Sequence, residues 1–358
     1  MEIKPILQQL TQARGPSGGE GEAAKLVARL MQPLCQEVSI DAVGNVIGLK
    51  PGSGPEPRPR VMLMAHLDEI HLTVSAIDGA FLRFVENGYD PRTLVGAQVT
   101  VLGKKPLPGV IGDLPPHLMT DEDRKRMPEL EEMVIDLGLT AGQVAELVRV
   151  GDQVVLDGPF QELLGDRVAS KALDDRLLVT TMLAALDALQ RVEHPCDVIA
   201  VASVQEEFSG LGARTATWGQ RPDLAIALDV TFARQPGAPE ENTFPLGGGP
   251  AIAMGPNLHP RITQTLLDLA EKLEIPHEVD VQPSRTGTDA WGIQVTAGGA
   301  PTGLVSIPIR NMHTAVEVAD LKDVTRTVRL LTAFLAQADA AFLDHLTYRL
   351  PDFQEAAP

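Results

Sequence analysis

Two adjacent carboxylates, Glu206 and Glu207, close an apolar run over residues 197–203 and lead into the glycines of Phe208-Ser-Gly-Leu-Gly-Ala213. An apolar, β-branched run ending in two acids reads as a buried strand that delivers them to the carboxyl edge of a sheet, where open α/β folds keep their sites. Successive side chains at a strand end diverge, so one of the pair can hold a metal ion while its neighbour moves a proton. Read alone, the pair is equally a solvated acidic turn. Four further stretches repeat the pattern: His66 and Asp68 follow the run 61–65, Asp174 and Asp175 precede a helix, Asp229 follows 224–228, and His313 comes shortly after 303–307. A strand-end Asp is ordinarily a helix cap and a lone His a structural residue. Gathered on one sheet edge, however, unpaired acids would repel one another and shift in pKa, and two divalent cations relieve that repulsion. Imidazole with carboxylate suits zinc, cobalt or manganese. The competing reading of the same residues is a set of unrelated caps.

The elements needed to position these groups are legible. Gly15-Pro-Ser-Gly-Gly-Glu20 is a turn with Ser17 and Glu20 at capping-box spacing, ahead of a helix whose buried stripe is Val27, Leu30, Met31 and Leu34. Residues 41–49 read as a β-hairpin, and 51–59 as a Pro-rich linker. The runs 61–65, 198–204, 224–228 and 303–307 read as buried strands. Helices are expected over 177–189, 262–273 and 321–338, the first with Val179, Met182, Leu183, Leu186 and Leu189 on its face. Between residues 70 and 163 the texture changes to short alternating runs such as Leu72-Thr-Val-Ser-Ala-Ile77. These indicate a small β-barrel or sandwich with polar helical excursions near 120–134 and 140–148. The expected architecture is α/β: a mixed central sheet flanked by helices, formed by residues 1–69 and 164–358, with an inserted small β-barrel domain over 70–163.

A chain of 358 residues exceeds one average domain, and 44% apolar content describes a globule with a sizeable core. Its formal charge of −18 argues against nucleic acid or an anionic membrane as partner. No signal peptide or membrane-length apolar run is visible, so a cytoplasmic location is expected. Cys35 and Cys196 are too few for a disulfide framework or thiolate cluster and are expected to be buried thiols.

These stretches resemble the M42 metalloaminopeptidases, a family that includes tetrahedral, glutamyl and deblocking aminopeptidases. The resemblance runs from Gly15-Pro-Ser-Gly-Gly to Met312-His313-Thr-Ala-Val-Glu317-Val. It rests on Ala65-His66-Leu-Asp68-Glu69-Ile, Gly109-Val-Ile-Gly with Pro115-Pro-His-Leu118, Val150-Gly-Asp152, Lys171-Ala-Leu-Asp174-Asp175-Arg176, Val204-Gln-Glu206-Glu207, Ala227-Leu-Asp229-Val-Thr231 and Gly287-Thr-Asp289-Ala290. It implies that His66, Asp174, Glu207, Asp229 and His313 are ligands of two divalent ions with Asp174 bridging, that Glu206 is the general base, and that Asp68 supports His66 from behind. It also implies that the inserted barrel serves assembly of a homo-oligomer, in this family commonly a dodecamer. The chain departs from the family pattern at His71, at Leu177-Leu178, at Phe208-Ser209 and at Arg234-Gln235. These positions flank the implied ligands and bear on the shape of the substrate pocket.

The expected activity is therefore removal of the N-terminal residue from peptides with a free N-terminus. A related metal-dependent deacylase or carboxypeptidase would use the same ligand layout, and a glycosidase would use Glu206 with a second acid and no metal. A non-enzymatic metal-binding or assembly protein is the remaining class, and a full ligand set beside an intact Glu206 argues against it. Asp175 and Arg176 are expected to be structural, His71 to belong to the barrel, and the turn 286–289 to line either the substrate site or nothing.

Overall fold

A computed structural model describes residues 1–115, 117–121 and 126–346. Among them, eight strands form one mixed sheet in the order Glu37–Ile40, Val46–Lys50, Asp197–Ser203, Arg60–His66, Leu224–Phe232, Thr302–Ile309, Ala251–Met254 and Glu278–Val281. The four central strands are parallel, with His66 opposite Ser203 and Asp229 opposite Ser306. Their carboxyl ends therefore share one edge. These strands are buried on both faces, which is why their sequences are continuous apolar runs rather than alternating ones.

One face, through Val61, Leu63 and Ala65, packs in a core with the helices Ile3–Gln12, Leu173–Ala188, Pro260–Lys272 and Leu321–Leu335. The other, through Met62, Met64, Ala225 and Ala227, packs on Leu211–Gln220 and Asp289–Gln294. Leu173–Ala188 is buried nearly all round, so it runs as a central helix with its first turn aimed at the sheet edge. A three-stranded sheet of Gln161–Glu162, Arg167–Ser170 and Glu317–Asp320 lies beside that turn. Six strands between His71 and Leu156 close into a barrel with its own core of Leu72, Val99, Ile135 and Val154, among others.

The structure departs from the sequence expectations in several places, among them the hairpin expected over 41–49, whose strands are Glu37–Ile40 and Val46–Lys50 with residues 41–45 as the connection. Residues 122–125 of the expected 120–134 helix lie outside the described residues, and the described remainder is turns and irregular chain leading into the strand Val134–Asp136; Pro128 interrupts any helical run there. Pro116 of the quoted Pro115–Leu118 motif also lies outside them. The Gly21–Met31 helix starts without a side-chain cap, because the Ser17 hydroxyl donates to Asp68 and the Glu20 carboxylate accepts from the Gly18 backbone. The strand expected over 224–228 runs on to Phe232, so Asp229 is a buried residue inside it rather than one following it. The expected 140–148 helix is present as Ala141–Leu147 with a Thr140–Gln143 capping box.

Candidate metal centre

Glu206 and Glu207 sit on the turn that leaves the Asp197–Ser203 strand, just after Gln205 at φ +57°. That turn is pinned by one carboxylate. Asp68, fully buried, accepts from the Glu206 backbone N–H at 3.0 Å, the Glu207 backbone N–H at 3.2 Å and the Ser17 hydroxyl at 2.6 Å. Its Oδ1 also lies 3.4 Å from His66 Nδ1. His66 closes its strand with Nε2 2.9 Å from Asp174 Oδ1. Asp174 opens the long buried helix, and its second oxygen lies 3.4 Å from His313 Nε2, which is also 3.4 Å from Glu207 Oε1. His313 donates from Nδ1 to the Gly88 carbonyl of the barrel at 3.2 Å, which leaves Nε2 unprotonated toward the carboxylates in the neutral ring.

Behind this front stands Glu317, which accepts from the backbone N–H of Asp174 at 3.1 Å and of His313 at 2.9 Å. It thereby fixes two groups that are remote in sequence. The Asp175 carboxylate accepts from the His66 backbone at 3.1 Å, and among the described residues its other oxygen has no partner. Arg176, fully buried, donates to the Leu10, Ala13 and Leu67 carbonyls and ties the first helix to the site. Lys171 pairs with Glu69, and Ser203 donates to Asp289.

His66, Asp174, Glu206, Glu207, Asp229 and His313 all line one cavity of about 320 Å³; Asp68 lies behind it. The residues expected to do chemistry thus meet in one place. Donor atoms of His66, Asp175 and Asp229 lie within 4.8 Å of one another, as do those of His66, Asp174 and Glu207. Asp175, expected only to be structural, therefore stands within reach of the first group. His71 lies in the barrel strand His71–Asp78, 3.4 Å from Gln153, as expected of a barrel residue. Sequence reasoning gave no role to Glu317, whose place in the His313-Thr-Ala-Val-Glu317 motif was the one available signal. It also misread Ser17.

The electrostatics test whether these residues suit cations. Burial pushes Glu206, Asp229, Asp175 and Glu317 well above the usual carboxylate range, and Glu207 upward as well, each aggravated by neighbouring acids. Burial opposes protonation of His313, yet Asp174 and Glu207 raise it to about 11. Burial likewise disfavours charge on His66 and is outweighed by Asp174 and Asp68. Asp174 is held below the usual range: burial acts against its ionisation, and the two imidazoles prevail. So many acids around two imidazoles leave an excess of buried negative charge that divalent cations would offset, and imidazole–carboxylate is a donor set for transition metals. The residues fit.

The profile of the M42 glutamyl aminopeptidase family matches residues 44–330. The chain is 38% identical over 339 residues to a lysyl aminopeptidase of Pyrococcus furiosus, covering 93% of this chain and 96% of that one. Among solved structures, an aminopeptidase from the archaeon Desulfurococcus kamchatkensis is 38% identical with a TM-score of 0.89, over 98% of both chains. The TET1 peptidase of Pyrococcus horikoshii, which can assemble into a tetrahedron or a large octahedral shell, is 31% identical with a TM-score of 0.82, over 94% of this chain and all of that one.

Proposed function

The chain belongs to the M42 peptidase family and is an aminopeptidase, and on that premise we propose that it works with two divalent metal ions and Glu206 as general base. One observation carries the two-ion reading: the oxygens of Asp174 face different imidazoles, Oδ1 toward His66 and Oδ2 toward His313. A carboxylate so placed suits two ions at once. In this reading His66, Asp174 and Asp229 hold one ion, Asp174, Glu207 and His313 hold the other, and Asp68 orients His66 from behind. Zinc, cobalt or manganese in these positions supplies Lewis acidity and acidifies the attacking water.

Glu206 lines the same cavity, and among the described residues its carboxylate has no hydrogen-bond partner. A carboxylate so placed can take a proton from water and return it to the departing amine. The acidic wall favours a free α-amino group at the substrate's N-terminus over an acylated one.

The catalytic unit is then residues 1–69 and 164–358, with 70–163 as an assembly domain. The barrel carries no member of the proposed ligand set, and it exposes Phe81, Val85, Val95 and Val110, apolar surface suited to contact between copies. A closed homo-oligomeric shell of the kind the P. horikoshii peptidase can form is the assembly proposed. A cytoplasmic location agrees with two unpaired thiols.

The test is hydrolysis of aminoacyl chromogenic amides with and without N-acetylation, before and after dialysis against a chelator. Expected are turnover of free-amino substrates only, its loss with the metals, and recovery on adding zinc, cobalt or manganese. Turnover of acetylated substrates would point to a deacylase, and full activity in metal-free protein would end the two-ion reading.

A further inference from the structure

The cavity extends from the acidic cluster across the sheet to the edge strand Glu278–Val281, and that far end carries an acid the mechanism does not use. Asp280 lines the cavity, is only 7% exposed, and has one hydrogen-bond partner among the described residues, the Gln282 side-chain amide at 2.8 Å. Among the described residues, no lysine or arginine lines this cavity. A carboxylate nearly out of water with a single neutral donor is under-compensated, and burial pushes its pKa up accordingly.

Strand register gives its distance from the chemistry. Asp229 pairs with Ser306, Ser306 with Ala251 and Ala251 with Glu278, and Asp280 follows two residues on, with its side chain on the same face as that of Glu278. Three strand spacings of about 4.8 Å, with two residues of about 3.3 Å along the strand, put Asp280 roughly 16 Å from Asp229. An aspartate at either end, a substrate α-amino group near Asp229 and an extended side chain of roughly 6 Å fill that span. Leu304 lines the cavity and stands, through its register with Ala227, beside this path, where it offers apolar surface to methylenes.

We propose that Asp280 selects a basic N-terminal residue in the substrate, accepting the ammonium of lysine or the guanidinium of arginine at the far end of the cavity. This inference rests on the aminopeptidase reading above. An acidic side chain would meet Asp280 with no cation to offset it, and an apolar one would leave the carboxylate buried and unpaired, so both are rejected by the same group.

The experiment compares kcat/KM for lysyl, norleucyl and glutamyl chromogenic amides in the metal-loaded wild type, Asp280→Asn and Asp280→Glu. Norleucine keeps the four-carbon chain of lysine and removes the terminal ammonium. The wild type should prefer lysine to norleucine by about 10-fold or more, and Asp280→Asn should cut that ratio by about 10–100-fold, the worth of one charge-assisted hydrogen bond. Asp280→Glu should retain most of it. If Asp280→Asn fails to fold, as judged by metal content, the wild-type ratio and relative inhibition by free lysine and norleucine decide. A wild type that favours norleucine or glutamate, or an unchanged ratio in Asp280→Asn, overturns the inference alone. Failure to hydrolyse any free-amino substrate overturns it together with the aminopeptidase reading.

Discussion

Asp68 holds four parts of the site at once: the Ser17 hydroxyl, the backbone N–H groups of Glu206 and Glu207, and the Nδ1 edge of His66. An asparagine in its place offers one acceptor oxygen and turns a donor toward groups that themselves donate. Asp68→Asn should therefore lower metal affinity or kcat by about 10–100-fold, the usual range for a residue that orients a ligand, while the fold persists. Metal titration with steady-state kinetics checks this, and wild-type values in both would remove Asp68 from the account. The sequence pattern Ala65-His66-Leu-Asp68 makes this residue visible, because a strand-end His with an acid two positions on is a recognisable pairing. Ser17 is another matter. Its spacing to Glu20 is that of a capping box, and only the long-range approach of residues 15–20 to the end of the Arg60–His66 strand shows that its hydroxyl serves Asp68 instead. Glu317 is hidden for a related reason: its bond from the His313 backbone N–H is local, and the one from Asp174, which ties it to the site, comes from tertiary packing.

At the level of elements, four parallel strands bring His66, Glu206, Glu207 and Asp229 to one edge, and the buried Leu173–Ala188 helix supplies Asp174. These strands and the helix read clearly in the sequence because continuous apolar runs and helical periodicity survive burial on both faces. What does not read is how the proposed ligand His313 is held from the barrel. His313 takes its orientation from the Gly88 carbonyl, at the end of the barrel strand Phe81–Asn87. Gly88 has φ +96°, and a Cβ there would lie 2.7 Å from Ile70 Cγ2 and 3.5 Å from His313 Nδ1. Gly88→Ala must therefore shift this loop. We expect a loss of metal occupancy and at least about 10-fold in kcat with unchanged far-UV circular dichroism. Full occupancy and normal turnover in that variant would mean that the barrel does not position His313.

For the whole molecule, the charge of −18 has two separate origins in physical terms. Most acids are on the surface, where like-charge repulsion opposes the approach of polyanions. A minority converge in the cavity, and their burial is what makes bound cations the natural complement. Composition alone shows the total and not this division, because convergence is a property of the sheet edge. No helix among the described residues is long and apolar enough to cross a membrane. In the proposed reading, one glutamate of the pair moves a proton while its neighbour holds an ion. Replacing each singly with the nearly isosteric glutamine, then measuring metal stoichiometry and kcat side by side, tests it most directly. Glu206→Gln should keep both metals and lose on the order of 10²–10⁴-fold in kcat, whereas Glu207→Gln should lose metal and activity together. Near-normal turnover in Glu206→Gln, or loss of metal there with full metal in Glu207→Gln, would contradict the account.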